Sequence, residues 1–196
     1  MFENWGKYSD TELFTMIHDN HSNKDKAFAE IYHRYSDKIF SYCLKILGNY
    51  DDAKDIFQET FIKFYNKIQE TKLSGSLSGL LFTFARNESL NYSKKKNRFV
   101  ELKEKYLPKY FDNLESGEMI EMLARALDLL PFIQKEAFVL RHYQGLSYEE
   151  ISKICFVDQA TVRNRVKRAI QSLQNILKPI FEEPQINTKK KVRKDE

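Results

Sequence analysis

The 196-residue chain is long enough for one medium domain or two small ones. Hydrophobic residues at 42% and charged residues at 31% supply a core and exclude a disordered chain, while only 6 glycines and 4 prolines argue against a turn-rich sandwich or barrel. The 32 basic residues exceed the 28 acidic ones by 4, too small an excess to imply a polyanion partner, so the placement of charge must decide.

Helical text begins at Lys24. Phe28, Ile31, Tyr32, Tyr35, Ile39 and Tyr42 recur at three- and four-residue spacing and predict one apolar helix face. Gly48 and Asn49 predict a stop, after which Asp51 and Asp52 offer an N-cap. A second periodic run follows at Ala53, Ile56, Phe57, Phe61, Phe64 and Ile68. The glycines and serines of TKLSGSLSG predict a loop. A third helix should start near Ser78, bury Phe82 and Phe84, and run into the basic cluster KKKNR at 94–98.

Residues 99–118 carry 3 basic and 5 acidic side chains, with Pro108, Gly117 and weak periodicity, and read as a flexible linker. Helical text resumes at Met119 and continues to about Ile180, with breaks at Leu130-Pro131 and at Gly145. The last stretch, 181–196, is basic and without apolar periodicity, a disordered tail by composition. The expected fold is therefore all-α: two small helical domains, 1–98 and 119–180, joined by the linker.

Enzyme chemistry finds no foothold. Neither G-x-G-x-x-G nor G-x-x-x-x-G-K-[ST] occurs, and GSLSG at 75–79 has the wrong spacing and no lysine. His18 and His21 lack a third ligand at metal spacing, so neither a metal nor another cofactor is expected. Cys43 and Cys155 form no CxxC pattern. Cys155 with His142 could make a nucleophile and base, but an apolar helical setting favours a buried, inert thiol. The longest apolar stretch, Leu80 to Ala85, falls far short of the roughly 18 residues of a membrane span. The opening MFENWGKYSDTELF lacks the order of a secretory signal, so a cytoplasmic location is expected.

The segment LSYEEISKICFVDQATVRNRVKRAIQSL is more informative. Ser147 suits an N-cap, with Glu149 and Glu150 in the first turn where the helix dipole favours them. A break at Phe156-Val157 leads to a second helix capped by Asp158. On it, Val162, Val166, Ala169, Ile170 and Leu173 share one stripe, and Arg163, Asn164, Lys167 and Arg168 lie on the opposite arc. From Asp158 to Ala169 four cations face one anion. Two short helices with a tight turn, the second basic outside, describe a helix-turn-helix suited to phosphates and base edges. A solvated basic face is the plain alternative.

This segment, with ALDLLPFIQKEAFVLRHYQG before it, resembles region 4 of the extracytoplasmic-function (ECF) group of sigma-70 family RNA polymerase sigma factors. Independently, AFAEIYHRYSDKIFSY, DDAKDIFQETFIKFY and LLFTFARNESLNYSKKKNR resemble region 2 of the same family, and the two sets occur in the expected order. The resemblance implies a bacterial, non-enzymatic initiation factor. Its expected partners are core RNA polymerase and promoter DNA, together with an anti-sigma protein. By motif position it implies polymerase contacts at Asp55, Gln58 and Glu59, and contacts with the promoter −35 element at Arg163, Asn164, Lys167 and Arg168. The −10 element would fall to Arg86, Asn87, Asn91, Tyr92, Lys94, Lys95, Lys96 and Arg98, a set that combines cations for the backbone with groups that pair with or stack on unpaired bases. The loop TKLSGSLS would capture a flipped −10 base.

The match has departures. Cys155-Phe156 stands where Leu-Gly is common in the helix-turn-helix turn, Leu80 or Leu81 where tryptophan is common, and Ser152 where alanine is usual. A one-component DNA-binding regulator, or an interaction module with a basic surface helix, would explain 119–180. Either would leave DDAKDIFQETF and RNESLNYSKKKNR without a role.

Overall fold

The computed structural model describes residues 5–73, 75–97 and 116–182, and every regular element among them is helical. In chain order these are α1 (Asp10–His18), α2 (Lys24–Leu47), α3 (Tyr50–Lys67), α4 (Leu77–Asn97), α5 (Ser116–Asp128), α6 (Phe132–Phe138), α7 (Tyr148–Cys155) and α8 (Gln159–Glu182). Short 3-10 turns at Trp5–Lys7 and Ile68–Glu70, and a π-helical turn at Val139–Tyr143, complete the set. The segment read as a linker falls mostly, and the tail 181–196 almost wholly, outside the described residues; α5 begins at Ser116, inside the linker range.

The all-helical expectation holds, with local corrections. Helix α1 is absent from the periodicity reading. It forms because Ser9 accepts the Glu12 amide while the Glu12 carboxylate accepts the Ser9 amide at 2.7 Å, and because Leu13, Phe14 and Ile17 are buried below that cap. Along α2 the predicted face is buried at Ile31, Tyr35, Ile39 and Tyr42, but Tyr32 is exposed. Helix α3 is capped by Asn49, whose side chain accepts the Asp52 amide at 2.9 Å; Asp51 and Asp52 sit in its first turn instead. Helix α4 starts at Leu77, one residue before the predicted Ser78.

Helices α1–α4 form the N-terminal unit and α5–α8 the C-terminal unit. Gly145, at φ +70, breaks the chain before α7, as the sequence predicts. Ser147 then closes a second capping box, accepting the Glu150 amide at 3.2 Å while the Glu150 carboxylate accepts the Ser147 amide at 2.8 Å. Phe156 turns the chain between α7 and α8 at φ +55, the left-handed region that glycine enters more easily, and the residue is 72% exposed. The core is continuous: Ile39, Tyr42, Phe61, Phe64, Leu81 and Phe82 from the N-terminal unit share one cluster with Leu140, Ile151, Ile154 and Val166. A smaller cluster of Ala126, Leu127, Leu130, Ala169 and Leu173 joins α5 to α8.

Ser147→Ala removes an N-cap and should cost about 1 kcal/mol, read as a lower urea midpoint at unchanged slope. The Ser147 amide and hydroxyl also hold the Glu150 carboxyl below its ordinary value of 4.5. That contribution is complete above the ordinary value and is lost as pH falls through the lowered one, so the cost of Ser147→Ala should shrink in acid.

Candidate nucleic-acid interface

The predicted recognition helix is built as its pattern requires. Asp158 caps it, its carboxylate accepting the Thr161 amide and hydroxyl at 2.7 Å each, and these bonds hold the carboxyl below its ordinary range. Val162, Val166, Ala169 and Leu173 are buried on the inner face of α8. Arg163, Asn164, Lys167 and Arg168 are all exposed on the outer arc. The structure adds two residues that spacing could not find. The Arg163 guanidinium lies 5.3 Å from the Tyr148 ring centroid and that of Arg141 lies 4.7 Å from the same ring. Arg141 is aimed by a 2.9 Å bond to the Leu146 carbonyl oxygen. One tyrosine thus gathers two cations from different elements beside the basic arc.

Helix α4 divides its predicted residues in two. Asn87, Asn91, Lys94 and Lys95 are exposed. Arg86 and Tyr92 are half-buried and engaged: Arg86 Nε is 2.9 Å from Glu136 Oε1 of α6, and the Tyr92 hydroxyl donates to Asp52 of α3. The Lys96 side chain and Arg98 lie outside the described residues. Phe82 is buried edge-on to Tyr42, and Phe84 is half-buried against Phe64. Within the loop before α4, Gly75 sits at φ +102 with open space around it, and Ser76 Oγ accepts the Gly79 amide at 3.0 Å. This loop faces the Phe156 turn across a cleft of about 1020 Å³.

The predicted polymerase stripe is exposed at Asp55 and Gln58. Glu59 is partly held by Lys63 at 3.1 Å, which also meets Glu88 at 2.6 Å. On the other side of α3, Ile56, Phe57 and Phe61 are buried. Next to Gln58 opens an apolar groove lined by Phe28, Tyr32, Phe57, Phe61, Ile62 and Tyr65. Sequence periodicity misses it, because Tyr32 falls on the core face by spacing alone.

Among the described residues no three His, Cys, Asp or Glu side chains converge as a metal site. Both cysteines are buried, and burial pushes the thiols of Cys43 and Cys155 up to about 12, the opposite of an activated nucleophile. No helix among the described residues is long and apolar enough to cross a membrane.

Residues 31–99 match sigma-70 region 2, and residues 120–173 match sigma-70 region 4. The chain is 29% identical over 188 residues to the ECF RNA polymerase sigma factor SigE of Mycolicibacterium smegmatis, an alignment covering 88% of this chain and 71% of that one. It is 32% identical over 141 residues to the ECF RNA polymerase sigma factor EcfG of Rhodopseudomonas palustris, covering 70% and 77%. The fold is similar to that of the sigma factor RpoE solved in complex with the anti-sigma factor NepR from Bartonella quintana. There the TM-score is 0.64 at 26% identity, over 78% of this chain and 98% of that one.

Proposed function

The chain belongs to the ECF group of the sigma-70 family of RNA polymerase sigma factors, and from that premise we propose how its helices divide the work of initiation. It is an initiation factor that directs RNA polymerase to promoters, and not an enzyme. Helix α8 reads the −35 element through Arg163, Asn164, Lys167 and Arg168. Helix α4 handles the −10 element through Asn87, Asn91, Lys94 and Lys95, with Arg86 and Tyr92 joining once released from their partners and Lys96 and Arg98 extending the basic end. The stripe Asp55, Gln58 and Glu59 on α3 meets the polymerase. The unit division 1–98 and 119–180 follows the same split of labour. An anti-sigma protein is a further partner of this chain, a reading supported by the NepR complex of the RpoE relative.

The observation that carries this reading is the joint exposure of four polar and basic side chains on a helix whose other face is buried and whose start is fixed by Asp158. Footprinting tests it. The chain together with core polymerase should protect two promoter segments, near −35 and near −10, that core alone leaves open. A single protected segment, unchanged on adding core, would point to a stand-alone DNA-binding regulator.

Alanine at each position of the α8 arc sorts the contacts. A side chain that reads a base edge in bidentate fashion should lose about 1–3 kcal/mol of discrimination at one base pair. A side chain that meets phosphate should weaken all sequences alike and lower the salt slope by about one unit. Arg163 is the strongest candidate for base reading, because the Tyr148 ring restricts it. Promoter use unaltered by all four alanines would remove α8 from the interface.

A further inference from the structure

The turn between α7 and α8 carries a side chain that the fold does not use. At Phe156 the backbone adopts φ +55 and ψ +45, a left-handed conformation that glycine enters freely and a bulky residue only at a cost. Backbone groups alone close the turn: the amides of Phe156 and Val157 both donate to the Ser152 carbonyl oxygen, the latter at 3.1 Å. Burial does not offset the cost. Ile154 and Cys155 before it are buried, whereas Phe156 is more exposed than any other large apolar residue among those described. Glycine would serve this turn better. A side chain held against local preference and outside the core acts on something beyond the chain.

We propose that Phe156 reads a thymine methyl group at the edge of the −35 element, as a specificity residue beside the polar arc of α8. The inference rests on the −35 role proposed for α8. Phe156 stands two residues before Asp158, the cap of α8, and so leads the helix end that enters the major groove in a helix-turn-helix. Asp158, Gln159 and Ala160 follow it, all exposed, and Ala160 presents only a methyl group. From Gln159 to Arg163 the helix rises about 6 Å, which brings the ring and the Arg163 guanidinium within about three base pairs of each other at 3.4 Å a step. The chemistry is complementary. Arg163, Asn164, Lys167 and Arg168 offer donors for purine edges, but none of them offers an apolar surface for thymine. A phenyl ring covers the 5-methyl group and leaves no hydrogen bond to satisfy, whereas a phosphate at this point would call for a cation or an amide.

Deoxyuridine isolates the contact, because it pairs as thymine does and lacks only the methyl group. The full chain with core polymerase is titrated onto a genomic promoter fragment that it protects in the footprinting assay. Each thymine of the −35 segment, on either strand, is replaced in turn by deoxyuridine. At one position, within about three base pairs of the Arg163 contact, the parent should lose about fourfold in affinity, the worth of one buried methyl group. Phe156→Gly should bind the thymine fragment at least about fourfold more weakly than the parent and lose nothing further with deoxyuridine at that position. Its urea midpoint should equal or exceed the parent's, because glycine relieves the turn. Should Phe156→Gly unfold early, Phe156→Asn repeats the measurement with a side chain that also accepts the left-handed region.

A parent that keeps its −35 preference yet responds to no single deoxyuridine would overturn the methyl contact alone. So would a folded Phe156→Gly chain that retains the parent's response to deoxyuridine. If Phe156→Gly weakens binding to core polymerase and leaves the −35 preference unchanged, the ring belongs to a protein interface and the contact is overturned. A parent indifferent to every base change in the −35 segment would instead overturn the reading of α8 itself, and the contact with it.

Discussion

Lysine at both Asp55 and Glu59 should weaken binding to core RNA polymerase by roughly two orders of magnitude while leaving the helices intact. Asp55 is exposed and Glu59 partly so, and neither supports the core beneath Ile56, Phe57 and Phe61. The cost to the fold is confined to the exposed Glu59–Lys63 pair, and exposed pairs contribute at most about 1 kcal/mol. A new lysine at 59 would repel Lys63 one turn on by a few tenths of a kcal/mol. Within an interface, by contrast, misplaced charge costs several kcal/mol. The apolar groove beside Gln58 sharpens the expectation, because a low-dielectric neighbour strengthens each charge contact at its rim. Competition against the parent for a limiting amount of core polymerase reads the effect. Equal competition would take this stripe out of the polymerase interface.

Asn87→Ala combined with Tyr92→Ala should leave closed-promoter binding intact and strongly impair promoter opening. Duplex binding needs only cations, and exposed Lys94 and Lys95 remain. Melting needs a favourable place for extruded bases, enough to offset a few kcal/mol of unstacking. Loss of one aromatic stacking partner removes about 1–3 kcal/mol of that return. Tyr92 is also anchored to Asp52 of α3, so Tyr92→Phe is the necessary companion. It deletes the anchor but keeps the ring, and should open promoters nearly as well as the parent. A pre-melted bubble template should rescue the double alanine variant, while replacement of the lysines at 94–96 should not be rescued in this way. Normal permanganate reactivity with the Asn87/Tyr92 variant would reduce α4 to a backbone anchor.

What the sequence made legible was local. The apolar stripes of α2, α3 and α8 follow from a 3.6-residue period, and the caps at Ser147 and Asp158 follow from side chains that satisfy amides at a helix start. Helix α1 was open to the same reasoning, since Ser9 and Glu12 followed by Leu13, Phe14 and Ile17 carry the capping-box pattern. The α3 cap was misplaced because Asn49 competes with Asp51 and Asp52 for the role, and its position one residue before Tyr50 decides the matter.

The seam between the units was not legible. Lys135 and Glu136 sit in FIQKEAF on a seven-residue helix, and such charged residues are mostly exposed in folded proteins. They are buried only because α6 docks on partners 89 and 94 residues away at Ile46 and Tyr42, a pairing that no period encodes. For the same reason the sequence assigns Arg86 to −10 DNA with no sign of Glu136, which the structure places 2.9 Å from its Nε. Tyr148, drawn between Arg141 and Arg163, likewise depends on a turn geometry that spacing does not specify.

Run-off transcription with purified core polymerase tests the initiation role most directly. Core polymerase lacking any other sigma factor is supplied with a library of genomic promoter fragments, with and without this chain. Discrete transcripts that appear only when the chain is present, and that share sequence near −35 and −10, are the predicted result. Transcripts equal in number and position with and without the chain, under conditions where it still binds DNA, would contradict that role.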